Sequence, residues 1–267
     1  MTGSVTGSVN SLEVRDVSAG YGGSDIIMSV TLAAARGRIT TVAGPNGAGK
    51  STLMKTLAGL LRPRLGQISI DGHDVTRLAP PQRALAGLGY VPQERNIFRN
   101  LTIGENLRIG FEFIHRKAPA KAFGAARDRV LDLFPDLAGR LNEVAGTLSG
   151  GQRQMLAMGS ALVAGPTTLL LDEPSAGLSP RYVTSMLDAV AAVNRSGVTV
   201  VMIEQNLIEA MRIAHDVVLL VAGEIKGTWK SGQFLSDPVV RELFLGGSTA
   251  KRADVDRSKV SNDASAA

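Results

Sequence analysis

Three short clusters in this 267-residue sequence carry residue types that handle phosphate and water. The first is Gly44-Pro45-Asn46-Gly47-Ala48-Gly49-Lys50-Ser51-Thr52, which follows a β-type run over 39–43 and opens into a helix with apolar Leu53, Met54, Leu57 and Leu60. Glycines at 44, 47 and 49 free the backbone N–H groups to curl around an anion. Lys50 adds a charge for the outer phosphates, and the Ser51 hydroxyl suits Mg2+. The helix start contributes unsatisfied N–H groups and the positive end of its dipole. Each charge-assisted hydrogen bond contributes about 1.5–3 kcal/mol, so several together hold a nucleotide.

The second cluster is Leu148-Ser149-Gly150-Gly151-Gln152, another glycine-rich helix start. A capped helix needs only one small polar residue there, so the two glycines point to a second anion-binding nest. The third is Thr168-Leu169-Leu170-Leu171-Asp172-Glu173, an apolar strand ending in two carboxylates. Ligands of open α/β sheets lie at such strand ends. Asp172 suits Mg2+, and Glu173 suits polarising an attacking water.

Other positions are more ambiguous. Tyr21 stands in Ser18-Ala19-Gly20-Tyr21-Gly22-Gly23, read as a loop; it is either a partly buried ring or a surface on which a purine stacks. Gln93 follows the strand-like 88–91, and its spacing alone fits a polar loop residue. A further buried strand, 198–203, ends at Glu204-Gln205-Asn206.

These clusters must be held by a sheet flanked by helices. Composition is 44% hydrophobic but only 4% aromatic, which predicts an aliphatic core of the kind parallel sheets build. Strands are predicted at 12–17, 26–32, 66–70, 216–221 and 224–229. Thr102-Ile103-Gly104-Glu105 is a capping-box pattern, and helical periodicity without a strand continues over 95–165, read as a helical insertion. Residues 1–11 read as a flexible leader, 12–247 as the domain and 248–267 as a disordered tail. The sequence has no cysteine, so thiol chemistry and disulfides are excluded. His73, His115 and His215 lack ligand spacing. The net charge of +5 is scattered rather than clustered, so no nucleic-acid partner is expected. The longest apolar runs are strand-sized, well below the ~18–20 residues a bilayer span needs. A cytoplasmic location is expected.

With these motifs in this order, 12–247 resembles the ATP-binding subunit of ATP-binding-cassette (ABC) transporters. The resemblance implies an α/β P-loop NTPase core with a mixed or parallel sheet, an N-terminal antiparallel β subdomain and an inserted helical subdomain. It implies ATP and Mg2+ as cofactors, with Ser51, Gln93 and Asp172 on the metal. Tyr21 would stack on adenine, Gly44 to Thr52 form the Walker A loop, and Ser149 to Gln152 belong to the signature. Glu173 would be the catalytic base, and Lys50 and Gln205 would contact the phosphates. Val91-Pro92-Gln93-Glu94, Pro174-Ser175-Ala176-Gly177-Leu178-Ser179-Pro180 and Glu204-Gln205-Asn206 are similar to the LivF-type branch of branched-chain amino acid importers. Ser179 replaces the aspartate, and Gln205 the switch histidine, of the wider superfamily; both changes are familiar in that branch. Implied partners are a permease, a second ATPase subunit (a copy or a LivG-like relative) and, indirectly, an extracytoplasmic binding protein. Each ATP would lie between one subunit's Walker A loop and another's signature, at the inner face of the membrane. Urea, short amides or aromatic acids remain alternative solutes, and a soluble ABC ATPase an alternative role. The second P-loop or long coiled-coil insertion usual for the latter is missing from the sequence.

Overall fold

The computed structural model describes residues 10–94 and 96–245; the expected tail, and all of the expected leader but Asn10 and Ser11, lie outside them. Strand β1 (Asn10–Tyr21) pairs antiparallel with β2 (Ser24–Ala35) through a Gly22-Gly23 turn with both φ values positive, 56° and 95°. That is the two-residue hairpin turn whose twist matches its strands. The segment 18–21, expected as loop, is therefore strand, because its backbone pairs with β2 and the turn needs only the two glycines. Ser11 is not leader but buried strand: its Oγ lies 2.6 Å from Thr168 Oγ1. After β3 (Ile39–Ala43) and α1 (Lys50–Leu57), β4 (Leu65–Ile70) pairs antiparallel with β1, and β5 (His73–Asp74) with β4. The resulting sheet has the order β2-β1-β4-β5.

A second sheet holds β6 (Leu88–Val91), β7 (Thr168–Asp172), β8 (Thr199–Ile203), β9 (Asp216–Val221) and β10 (Glu224–Lys230) in the order β10-β9-β3-β8-β7-β6. All its pairings are parallel except β10 with β9. Side chains alternate between its faces. Val42, Leu170, Val201 and Ile203 join Leu53, Met54 and Leu57 of α1 and the apolar face of the first sheet in one core. Leu169, Leu171, Val200 and Met202 face a second core built with α3 (Ile103–Ile114), α4 (Ala120–Leu133), α5 (Gly150–Leu162) and α6 (Pro180–Arg195). Each fully buried leucine or valine contributes about 1.5–3 kcal/mol, so both faces are firmly anchored. Between β6 and β7 the described residues contain helices and one isolated bridge, Thr102 with Val144. Thr102 caps α3 as its sequence predicts: Oγ1 accepts from Glu105 N, and Glu105 Oε2 accepts from Thr102 N.

The far end of α1 is held by an arginine from α2 (Pro80–Leu85). Arg83 is 1% exposed and donates to the carbonyls of Thr56, Leu57, Thr76 and Leu78. Burial lowers its pKa to about 10, leaving it charged at neutral pH. A cation on the last carbonyls of α1 complements the helix dipole and fixes the helix whose other end opens at Lys50. Gly59 makes room for it, since a β-carbon there would lie 2.9 Å from Arg83 Nε.

The chain divides into two compact units, one through Ser231 and one from Gly232. The second contains α9 (Pro238–Leu245), reached after the short α8 (Ser231–Phe234), and Asp237 Oδ1 accepts from Val239 N at its start. No helix among the described residues is long and apolar enough to cross a membrane.

Candidate nucleotide site

Four parallel strands deliver the site. In the spatial order β3-β8-β7-β6, their carboxyl ends lead into Gly44, Glu204, Glu173 and Pro92. The pairings Val42 with Ile203, Asp172 with Ile203, and Val91 with Leu171 keep those ends level. One edge of the sheet therefore carries the Lys50 loop, Gln205, the two carboxylates and Gln93.

The loop after β3 turns tightly through 44–49. Gly49 is the N-cap of α1 with φ +101°, has no side chain to accept from the first-turn N–H groups, and is followed by no acidic residue in that turn. Those donors are thus left for an outside anion. Gly44 has a second reason to be glycine: a β-carbon would sit 2.1 Å from Leu220 O of β9. A β-carbon on Gly49 would lie 3.0 Å from Ile27 Cγ2 and 3.3 Å from Ile26 O, so β2 of the hairpin that bears Tyr21 runs close beside this loop. Tyr21 lies at the tip of β1 and is 49% exposed, with its ring available to a ligand. Ser51, Pro45, Asn46 and Gly47 are exposed, whereas Ala48, Lys50 and Thr52 are buried. Lys50 Nζ donates to the carbonyls of Gly44 (2.8 Å) and Pro45 (2.9 Å), and burial lowers its pKa against the opposing charges of Glu173 and Asp172.

Glu173 is 8% exposed, sits at φ +52° and is pinned by its N–H to Ile203 O (3.1 Å). Its Oε2 accepts from Gln93 Nε2 (2.9 Å) and from Gln205 Nε2 (2.6 Å). Two solvent-exposed amides thus close over one buried carboxylate. Gln205 does not cap the following helix α7 (Leu207–Met211); Asn206 does, its Oδ1 accepting from Glu209 N. Asp172 Oδ2 lies 3.5 Å from Tyr90 OH, while its buried Oδ1 has no hydrogen-bond partner. Burial first, then the charge of Glu173, pushes the Asp172 carboxyl up; Lys55, the Tyr90 bond and Lys50 oppose this. A carboxylate oxygen left orphaned beside a hydroxyl-bearing loop fits a hard cation, which would favour the charged form.

The second glycine-rich start behaves differently. Ser149 Oγ accepts from Gln152 N (3.3 Å), and Gln152 Oε1 accepts from Ser149 N (3.1 Å), a complete capping box at α5. These side chains make no hydrogen bond to the Lys50 loop or to Glu173. Gly150 instead shares a cavity of about 360 Å³ with Gln93, Arg153, Ala176, Gly177 and Leu178. Two residues given no role of their own from the sequence also stand here: Tyr90 contacts Asp172, and Glu204 binds Ser175 just beyond Glu173. The apolar-to-acidic step at 203–204 was the available clue to Glu204.

The geometry is that of an ATP-binding cassette, and solved structures agree. The ADP conformation of an ATP-binding cassette of an ABC transporter superposes with TM-score 0.79 at 25% identity, covering 89% of this chain and 99% of that one. The ABC transporter family model matches residues 27–176. A probable branched-chain amino acid transport ATP-binding protein LivF from Archaeoglobus fulgidus is 37% identical over 236 residues, 88% of this chain and 98% of that protein. A high-affinity branched-chain amino acid transport ATP-binding protein BraG from Pseudomonas aeruginosa is 38% identical over 88% of this chain and all of its own length. The chain belongs to the ABC transporter family, as one of its ATPases.

Because Gln205 donates to Glu173 and leaves capping to Asn206, Gln205→Ala should slow ATP turnover about tenfold or more, as one hydrogen bond to a charged group is about 1.5–3 kcal/mol. ATP affinity and thermal midpoint should stay near native. Unchanged turnover in steady-state assays would remove Gln205 from the machinery.

Proposed function

We propose that this chain is the ATP-hydrolysing subunit of an importer for branched-chain amino acids, peripheral on the cytoplasmic face of the membrane through its permease. The observation that carries the catalytic reading is the Glu173 carboxylate, buried at the end of β7 between the amides of Gln93 and Gln205. The solute class is supported by the two relatives described above, which match across nearly their full lengths.

On this reading the backbone of 44–52 and the Lys50 ammonium hold the phosphates of ATP, and Tyr21 receives the adenine. Glu173 takes a proton from the attacking water, and Gln205 orients that water or the outer phosphate through an amide that carries no charge. Mg2+, when bound, would neutralise phosphate charge, with the Ser51 hydroxyl, the Gln93 side-chain oxygen and Asp172 as its protein ligands. Ser149, Gly150, Gly151 and Gln152 serve the nucleotide of a second ATPase subunit, a copy or a LivG-like relative. Their side chains are not joined to this chain's own loop, which supports that division. The helical segment 95–165 is the inserted subdomain, and the substrate-binding protein acts only through the permease.

Permease docking is supported by an apolar groove of about 830 Å³ between Pro81 and Leu85 of α2 and 113–118 at the end of α3. Phe98, 55% exposed beyond the Gln93 turn, is a separate exposed apolar side chain ahead of α3. A photocrosslinker at Phe98 or Leu85 should capture a co-expressed permease; crosslinks confined to α9 would contradict this surface.

Two substitutions test the catalytic reading by different routes. Lys50→Ala removes a phosphate charge and should weaken ATP binding about ten- to a hundredfold. Glu173→Gln keeps shape but loses the base, so turnover should fall about a hundredfold or more while ATP stays bound. Filter binding and steady-state hydrolysis separate the two. Hydrolysis at the native rate in Glu173→Gln would reject Glu173 as the base.

A further inference from the structure

Glu204 is a carboxylate in an unusual place. It directly follows the buried strand β8 and is itself 4% exposed. Its Oε1 accepts from Ser175 N (3.0 Å) and its Oε2 from Ser175 Oγ (2.7 Å). The N–H of Gln205 also favours its charged form, while burial and the charge of Glu173 oppose it. No ion pair with Lys or Arg offsets that burial among the described residues. A buried carboxylate held only by neutral donors is costly to keep for packing alone.

What it joins explains its presence. The segment after β7 and the segment after β8 are laced together at three successive points. Glu173 N donates to Ile203 O, the Glu204 carboxylate takes both donors of Ser175, and Gln205 Nε2 donates to Glu173. The middle point is the only one that grips beyond Glu173. Glu173 itself occupies a left-handed conformation, φ +52°, which a non-glycine residue keeps only when its surroundings over-determine it. Its carbonyl accepts from Ala176 N, so Ser175 lies inside the turn that Glu173 opens. The same turn, through Ala176, Gly177 and Leu178, lines the cavity shared with Gln93 and Gly150.

We propose that Glu204 is a positioning residue: by clamping Ser175 it fixes the backbone of Glu173 from one side and the amide of Gln205 from the other, so base and amide share one rigid frame. The proposal rests on the hydrolytic role of Glu173 given above. Glu204 touches no substrate; it acts through Ser175, Glu173 and Gln205. Its geometry, not its charge, does the holding. Glutamine can reproduce that geometry, its Oε1 accepting from Ser175 N and its Nε2 donating to Ser175 Oγ.

The test compares kcat, KM for ATP and thermal midpoint in Glu204→Ala, Glu204→Gln and Ser175→Ala, with Glu204→Ala repeated in Gln205→Ala. Glu204→Ala should lower kcat about tenfold or more while KM stays within about threefold, and Glu204→Gln should return to within about threefold of native. In the Gln205→Ala background the loss from Glu204→Ala should shrink, because both act on the same carboxylate. Native kcat in Glu204→Ala with a lowered midpoint would overturn the proposal, as would a Glu204→Gln enzyme as slow as the alanine variant, or full additivity with Gln205→Ala. Should Glu204→Ala not fold, Ser175→Ala deletes one bond only, and a native kcat there overturns the proposal equally. Native hydrolysis in Glu173→Gln would instead remove the underlying reading, whatever Glu204 does.

Discussion

The register of four parallel strands is the constraint on which the rest depends. Leu171 pairs with Val91 and Met202, and Asp172 with Ile203, so the chain leaves the sheet at one level on β3, β8, β7 and β6. Side chains alternate with a period of two, so slipping β7 by one residue would turn Asp172 to the opposite face and carry Glu173 out of reach of Gln93 and Gln205. The aliphatic residues on both faces prevent that slip. Leu170 is committed to the core with α1, and Leu169 and Leu171 to the core with the helices. The geometry at this sheet edge is a by-product of which face each leucine must bury.

That geometry is held against opposing forces. Asp172 and Glu173 are adjacent buried carboxylates, and the charge of Glu173 raises the pKa of Asp172. Lys50 is desolvated and spends donors on two carbonyls. A left-handed non-glycine residue costs on the order of 1–2 kcal/mol. The electrostatic costs among these would fall with phosphate and a divalent cation bound, which would supply the charges that the buried groups face. The fold is thus arranged for the nucleotide-bound state.

Much of this was legible in the sequence, for identifiable reasons. The loop at 44–52, the β7 carboxylates and the Thr102 cap depend on local spacing, and local spacing is what a sequence displays. Ser149 was legible as a helix start, whereas its reciprocal bonds with Gln152 make a capping box that the anion-nest reading did not include. Long-range pairing was not legible. Nothing near Ser18 or Ser11 signals that β1 extends over both, since that follows from β2, β4 and Thr168. The insertion of β8 between β3 and β7 likewise cannot be read from chain order, yet it alone brings Gln205 to Glu173. Nothing local marks Arg83 for burial, which depends on carbonyls at the end of α1. Gln93 fitted a polar loop by spacing, and only the fold puts its amide on Glu173.

The central consequence is a division of labour. On the proposed reading the sheet edge carries a loop, base and amide for one nucleotide, while the Ser149 turn, whose Ser149 and Gln152 side chains bond reciprocally, serves another. Equilibrium ATP binding and steady-state turnover on Ser149→Arg test this most directly. Affinity should stay within about threefold of native, because the Lys50 loop is untouched, while turnover should fall at least about tenfold. Native turnover would contradict the division and leave Ser149 as a helix cap alone.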